Sequence, residues 1–299
     1  MPEGHKVHRI SRAFAADFVG KKIAARSPQG RFAAGAAVLD GRKMTDSRAV
    51  GKQMFLGFTG GHWLRVHLGI YGMWDFAGRI REQVEVDPRA GTRTLRTVHP
   101  EAARAGSGTF PPEPVGQVRL RLATAVAVAD LRGPNTCELL TADEMDAVIH
   151  KLGPDPLSPL GSPEEAEQEF VRRVRGRNVA IGQLLMDQGV VSGIGNIYRA
   201  EMLFRAGLEP HLPGRSLSAE TAAALWRDWV GLLQVGVDTG LMLTMDGLGP
   251  EESALALASR ADRHWVYGRA GLPCRVCGTE IALETMAGRK LYWCPSCQR

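Results

Sequence analysis

The chain has 299 residues, with 37 Lys and Arg against 32 Asp and Glu and a formal net charge of +5. This length predicts two domains with room for a small appendage, and the basic surplus favours a polyanionic partner without demanding one. No long apolar run and no signal-peptide core is present, so the sequence is read as soluble and intracellular, with no membrane partner.

The chain opens Met1-Pro2-Glu3-Gly4. Removal of Met1, which a small second residue permits, leaves the secondary amine of Pro2 at the terminus. Such an amine attacks carbon to form an iminium ion, and Glu3 places a proton carrier beside it. An α-amino group titrates near about pH 8, so a usable neutral fraction exists at neutral pH. An accidental second-position proline is the plainer reading of this feature taken alone.

Residues 3–18 carry Val7, Ile10, Phe14 and Phe18 at helical spacing and stop at Gly20, predicting one amphipathic helix. From about residue 22 to 131 the pattern turns to short runs bounded by Gly, Pro and Asp. Strands are predicted at 22–27, 43–47, 52–58, 63–67, 71–76 and 118–130. Residues 87–117, rich in Pro, Gly, Arg and Ala, are expected to form a long exposed loop or a partly disordered insertion.

A Pro/Gly-rich linker at 153–163 marks a domain boundary. Helices are then predicted at about 163–175, opened by Ser162-Pro163-Glu164-Glu165, and at about 179–187, 196–207 and 219–239. Residues 240–264 read as irregular. The expected division is therefore 1–153, 154–267 and 268–299.

Four of the five cysteines lie in the last 26 residues as Cys274-x-x-Cys277 and Cys294-x-x-Cys297, with sixteen residues between the pairs. Two such turns across a short hairpin complete a tetrahedron of thiolates around one Zn²⁺, and the tail has almost no core without it. Two disulfides are the alternative, a poor one in a reducing compartment. No open ligand position is evident, so the zinc is expected to be structural. Cys137 is read as a small buried apolar residue.

Several further segments admit both a chemical and a plain reading. The hairpin Ser192-Gly193-Ile194-Gly195-Asn196 runs into a helix, where backbone N–H groups bind phosphate, or is a simple turn. It lacks the third glycine and preceding strand of a dinucleotide-binding fingerprint, so no nucleotide cofactor is expected. Lys52, after Gly51 at a strand start, is a phosphate ligand or a solvated strand end. In His67-Leu68-Gly69-Ile70-Tyr71-Gly72, the large side chains pack in the core or wedge into a base stack vacated by an extruded nucleotide. Arg289, in Gly288-Arg289-Lys290 between the cysteine pairs, clamps phosphate or is a solvated charge.

Taken in order, Pro2-Glu3, Gly51-Lys52, the Gly195-Asn196 hairpin, the four cysteines and Arg289 resemble the formamidopyrimidine-DNA glycosylase and endonuclease VIII family over nearly the whole chain. The segments 184–188 and 292–298 are similar to it as well. The resemblance implies an α+β fold: an N-terminal β-sandwich flanked by helices, then a helical helix-two-turn-helix domain with a four-cysteine zinc hairpin. It implies that Pro2 attacks C1′ of a damaged nucleotide in double-stranded DNA, that Glu3 shuttles protons, and that Lys52, Asn196 and Arg289 bind phosphates. Two eliminations then cut the strand on both sides of the lost sugar, making a glycosylase and AP lyase that acts as a cytoplasmic, nucleoid-associated monomer.

Met-Pro-Glu-Gly and the Ile70-Tyr71 pair are similar to the endonuclease VIII branch, pointing to oxidised pyrimidines. Gly69 departs from that branch, which often places glutamine there, so the opposite-base contact is in doubt and oxidised purines stay open. Two alternatives remain: a non-catalytic lesion sensor, against which Pro2, Glu3 and Lys52 argue, and a glycosylase for bulky or crosslinked lesions.

Overall fold

The computed structural model describes residues 2–81, 95–98 and 110–299. The chain divides into two compact units, one ending at His150 and the other running from Lys151 to Arg299.

The first unit begins with helix α1, Gly4–Asp17. It continues through β1 (Ala24–Arg26), helix α2 (Ala33–Leu39), and strands β2 (Met44–Val50), β3 (Gln53–Phe58), β4 (His62–His67), β5 (Met73–Gly78) and β6 (Leu95–Val98). Then follow β7 (Val118–Ala123), β8 (Ala127–Arg132), β9 (Thr136–Leu140) and helix α3 (Ala142–His150). The strands form a five-stranded sheet in the order β1-β7-β8-β5-β6 and a four-stranded sheet in the order β2-β3-β4-β9.

One core joins the two sheets: Met54, Leu56, Leu64 and Val66 from one, with Trp74, Phe76, Leu120 and Leu131 from the other. The period-two alternation of β4 and β8 puts these side chains on the inner faces. Helix α1 adds Val7, Ile10, Phe14 and Phe18 at helical spacing to the same core. Phe14 meets Trp74 edge-on at 4.8 Å and Phe76 at 5.2 Å, geometry that aromatic quadrupoles favour. Across β7 and β8, Arg121 and Asp130 face each other in register and make two hydrogen bonds of 2.7 Å.

The structure corrects several expectations in this half. Residues 118–130 are a hairpin rather than one run, because Thr124 turns the chain by accepting bonds from the Ala127 and Val126 amides. Leu95–Val98, inside the expected loop 87–117, is a strand pairing parallel to β5. The rest of 87–109 lies outside the described residues, and 110–117 is mostly exposed. Helices α2 and α3 and strand β9 were not expected.

The second unit contains α4 (Pro163–Arg175), the single turn α5 (Ile181–Leu184), α6 (Asn196–Arg205), α7 (Ala219–Thr239), α8 (Pro250–Ala258) and the hairpin β10–β11 (Ala282–Met286 and Arg289–Trp293). Ser162 and Glu165 form a reciprocal capping box at the start of α4. Ser218 caps α7, which ends at left-handed Gly240. Phe170, Leu184, Val191, Tyr198, Leu225 and Trp229 lie in its main core.

Two corrections apply here. The helix expected at 179–187 is one turn, and the stretch 240–264 holds α8 with a short 3-10 turn at Arg260–Asp262. Helix α8 carries Pro250 in its first turn and Glu252 bonded back to the Gly249 amide.

Candidate functional site

In the first unit, two contacts fix the course of α1 along the four-stranded sheet. The Gly20 amide donates to the Met44 carbonyl at 2.8 Å, and the Ser47 hydroxyl donates to the Ser11 carbonyl at 2.9 Å. The helix therefore runs opposite to β2. Seven helical residues separate Ser11 from Gly4 and three extended residues separate Ser47 from Val50, each about 10 Å. Pro2 and Glu3 are thus carried to the end of β2, where Gly51 and Lys52 turn the chain. Glu3 is the N-cap of α1 and 1% exposed, yet its side chain makes no capping bond to the helix. Its carboxylate sits at the positive end of the helix dipole.

Gly51 and Lys52 are the two central residues of a hairpin closed by Val50 and Gln53. Gly51 has φ +58° and Lys52 does not enter the left-handed region, the pattern of a type II′ turn, which needs glycine first. Gln53 lies opposite His67 on β4, so the same sheet end carries His67 and the turn that follows it. Burial lowers the His67 pKa from its ordinary value, and the charges of Lys52 and then Arg65 lower it further. Burial does the same to His5, more strongly, helped by Lys6 and Arg9.

After His67, the Gly72 amide closes a tight turn on the Leu68 carbonyl at 2.9 Å. Ile70 is 55% exposed and Tyr71 82% exposed. Core packing, one of the two sequence readings of this turn, is therefore set aside. Gly69 has φ +66°, and a Cβ added there lands 2.8 Å from the Asn135 Cβ. Asn135 is held against the turn by its own amide, which donates to the His67 carbonyl at 2.8 Å. Pro2, Glu3, Lys52, Gly69, Ile70 and Tyr71 thus gather at one end of the four-stranded sheet.

In the second unit the glycine hairpin before α6 is braced from within by Gln188. Its side chain accepts from the Gly193 amide at 3.1 Å and donates to the Ile194 carbonyl at 3.0 Å. Asn196 opens α6 and donates its Nδ2 to the Lys290 carbonyl at 2.7 Å. Lys290 follows Arg289 at the tip of β10–β11, where Ala287 and Gly288 both have positive φ. Asn196 and exposed Arg289 are therefore neighbours at one helix–hairpin junction.

The four cysteine sulfurs lie within 4.8 Å of one another. Cys274 and Cys297 are 3.9 Å apart and Cys277 and Cys294 3.5 Å, far beyond the roughly 2.05 Å of a disulfide. A tetrahedron of about 2.3 Å Zn–S bonds has edges of about 3.8 Å, so the donor set fits one structural Zn²⁺ with no position left open. Gln298 supports the second pair, accepting from the Cys294 amide and donating to the Leu208 carbonyl. Cys137 is apart from this centre; burial pushes its thiol up to about 12.

Two buried charges on α6 escaped sequence reasoning. Arg199 donates to Asn196 Oδ1 and to the Lys290 carbonyl. Glu201 accepts from the amides of Trp265, Val266 and Tyr267 at 2.7–2.9 Å and binds the Thr244 hydroxyl. The available signal was two charges within an otherwise apolar helix between Ile197 and Phe204.

The chain matches the model of the formamidopyrimidine-DNA glycosylase N-terminal domain over residues 1–137 and that of the formamidopyrimidine-DNA glycosylase H2TH domain over 152–246. It matches the zinc finger found in FPG and IleRS over 271–299. It is 39% identical over 298 residues to Endonuclease 8 1 of Mycobacterium tuberculosis, covering all of both chains. It is 31% identical to the formamidopyrimidine-DNA glycosylase of Methylococcus capsulatus, again over both full lengths. Its fold is similar to that of Lactococcus lactis Fpg solved with abasic-site DNA, with a TM-score of 0.72, 22% identity and 99% of each chain covered. The Thermus thermophilus MutM (Fpg) protein gives a TM-score of 0.69 at 27% identity, over 99% of this chain and 98% of that one. Among the described residues no helix is long and apolar enough to cross a membrane.

Proposed function

Since this chain belongs to the formamidopyrimidine-DNA glycosylase and endonuclease VIII family, a family of DNA glycosylase/AP lyases of base excision repair, we propose that it removes oxidised pyrimidines from double-stranded DNA through Pro2. The observation that carries this reading is the course of α1, which delivers Pro2 and Glu3 to the sheet end that bears Lys52 and the exposed Ile70-Tyr71 turn.

Once Met1 is removed, the Pro2 amine attacks C1′, a C–N bond forms, and the glycosidic bond breaks as the base leaves with a proton. Glu3 carries protons between the sugar and the departing groups. The resulting iminium acidifies C2′–H. Loss of that proton expels the 3′ phosphate oxygen, and a second elimination expels the 5′ phosphate oxygen. Lys52 in the first unit and Asn196 and Arg289 in the second hold the phosphates flanking the lesion, while Ile70 and Tyr71 fill the vacated stack. Zinc takes no part in these steps; it shapes the hairpin that presents Arg289. The working parts divide as 1–153, 154–267 and 268–299, and one copy suffices for a duplex.

Full-length identity to an enzyme named Endonuclease 8 1 supports the pyrimidine preference. Borohydride should trap processed protein on an abasic duplex, and Pro2→Gly or Glu3→Gln should abolish base excision. Absence of any adduct removes Pro2 as nucleophile. A panel of thymine glycol, dihydrouracil and 8-oxoguanine duplexes tests the substrate class; exclusive excision of the purine overturns it.

A further inference from the structure

We propose that Arg199 is a positioning residue that locks Asn196 and the Arg289 hairpin into a single phosphate clamp. The inference rests on the reading of Asn196 and Arg289 as phosphate ligands and deepens it.

Arg199 stands one helical turn after Asn196 on α6, so the two side chains share a face. Its side chain is fully buried. One nitrogen, Nη2, donates both to Asn196 Oδ1 at 2.5 Å and to the Lys290 carbonyl at 2.9 Å. The same carbonyl accepts from Asn196 Nδ2 at 2.7 Å. Helix, amide and hairpin thereby form a closed triangle of three hydrogen bonds.

Two consequences follow for phosphate binding. A guanidinium has no acceptor, so Asn196 can present only its oxygen to Arg199, and this fixes which way the amide is turned. The second N–H of Nδ2 is then a donor aimed away from the triangle, the correct polarity for a phosphate oxygen. Gripping the Lys290 carbonyl also sets the backbone immediately after Arg289, which fixes the spacing between the two ligands. A buried cation one turn into the helix further adds to the positive potential of its N-terminus. Lysine at position 199 keeps the charge but lacks the planar fork, so it cannot hold both acceptors in the same geometry.

The test is a double-mutant cycle on binding to a duplex with a tetrahydrofuran abasic-site analogue, measured by anisotropy over a range of salt concentrations. Arg199→Met should weaken binding about tenfold, the factor to which about 1.4 kcal/mol corresponds. In an Asn196→Ala background the same change should have little further effect, because Arg199 acts through Asn196. Arg199→Lys should fall between the two. Single-turnover cleavage at saturating enzyme should be retained, with the loss confined to half-saturation. Zinc content and thermal midpoint, read on the same samples, separate positioning from general damage. Strictly additive losses, or a fall in stability with unchanged affinity, overturn the inference. An Asn196→Ala variant that binds normally removes Asn196 from the ligand set and the inference with it, leaving the Pro2 chemistry untouched.

Discussion

Replacing Glu201 by glutamine should destabilise the second unit by about 2–3 kcal/mol, a figure that can be built from its bonds. The carboxylate is fully buried and accepts from three consecutive amides, Trp265, Val266 and Tyr267, besides the Thr244 hydroxyl. A glutamine offers one carbonyl oxygen with two lone pairs, enough to keep Val266 and Tyr267. The Thr244 hydroxyl also lies 3.0 Å from the Arg263 carbonyl and can turn to it. The Trp265 amide is then left facing an NH₂ group. An orphaned buried donor costs about 1–3 kcal/mol, and two charge-assisted bonds weakened to neutral ones add about 1 kcal/mol each. Relief from burying a charge offsets part of that sum.

For a unit of this size the expected loss of midpoint is roughly 6–10 °C. Thermal unfolding followed by circular dichroism measures it, and hydrogen exchange should show the Trp265 amide losing protection selectively. A variant within about 0.5 kcal/mol of the parent, with Trp265 still protected, refutes the reasoning, since surface-like effects are of that size.

Lys52→Met should raise the pKa of His67, seen by NMR titration, while leaving it below the ordinary value, because burial is the larger cause and Lys52 the second. The depressed pKa values of His5 and His67 also set an acid limit: in both, the unfolded state binds more protons, so stability is present above about pH 6.5 and falls as pH drops toward the folded values. Denaturation midpoints should decline over that window, and His5→Gln should flatten the decline. Cys294→Ser should lower zinc, by elemental analysis, from one ion per chain toward none and weaken DNA binding, with the sandwich unit still folded; unchanged metal contradicts the site. Ser162→Ala should cost about 1 kcal/mol in urea denaturation through loss of the capping box, and no change means the α4 start is held by packing alone.

How much was legible in the sequence depended on whether a residue's role is local. Helix α7 matched its expected bounds because its ends are set locally, by the Ser218 side chain at the N-cap and by left-handed Gly240 after Thr239. The cysteine spacing likewise defines a tetrahedral donor set without knowledge of the fold. Helix α8 was missed although Pro250, Glu251 and Glu252 mark its start: Ala256 is its only buried residue, so no apolar period betrays it. Strand β6 was missed because four residues on a parallel edge carry no alternation worth reading. The gathering of Pro2, Glu3 and Lys52 at one sheet end follows from the antiparallel course of α1 against β2, a tertiary fact. Asn196 and Arg289 were each visible as motif positions, but the bond that makes them neighbours runs to the Lys290 backbone carbonyl, which no side-chain pattern encodes.

The intimate seating of Asn135 against Gly69 makes these two positions an epistatic pair. Any larger residue at 69 meets both a left-handed backbone and an occupied space, so a glutamine introduced there alone should cost stability on both counts, and a smaller residue at 135 can relieve only the second. Because the nearest atom is the Asn135 Cβ itself, which alanine keeps, only glycine at 135 clears the space, and the left-handed backbone at 69 still disfavours a glutamine there.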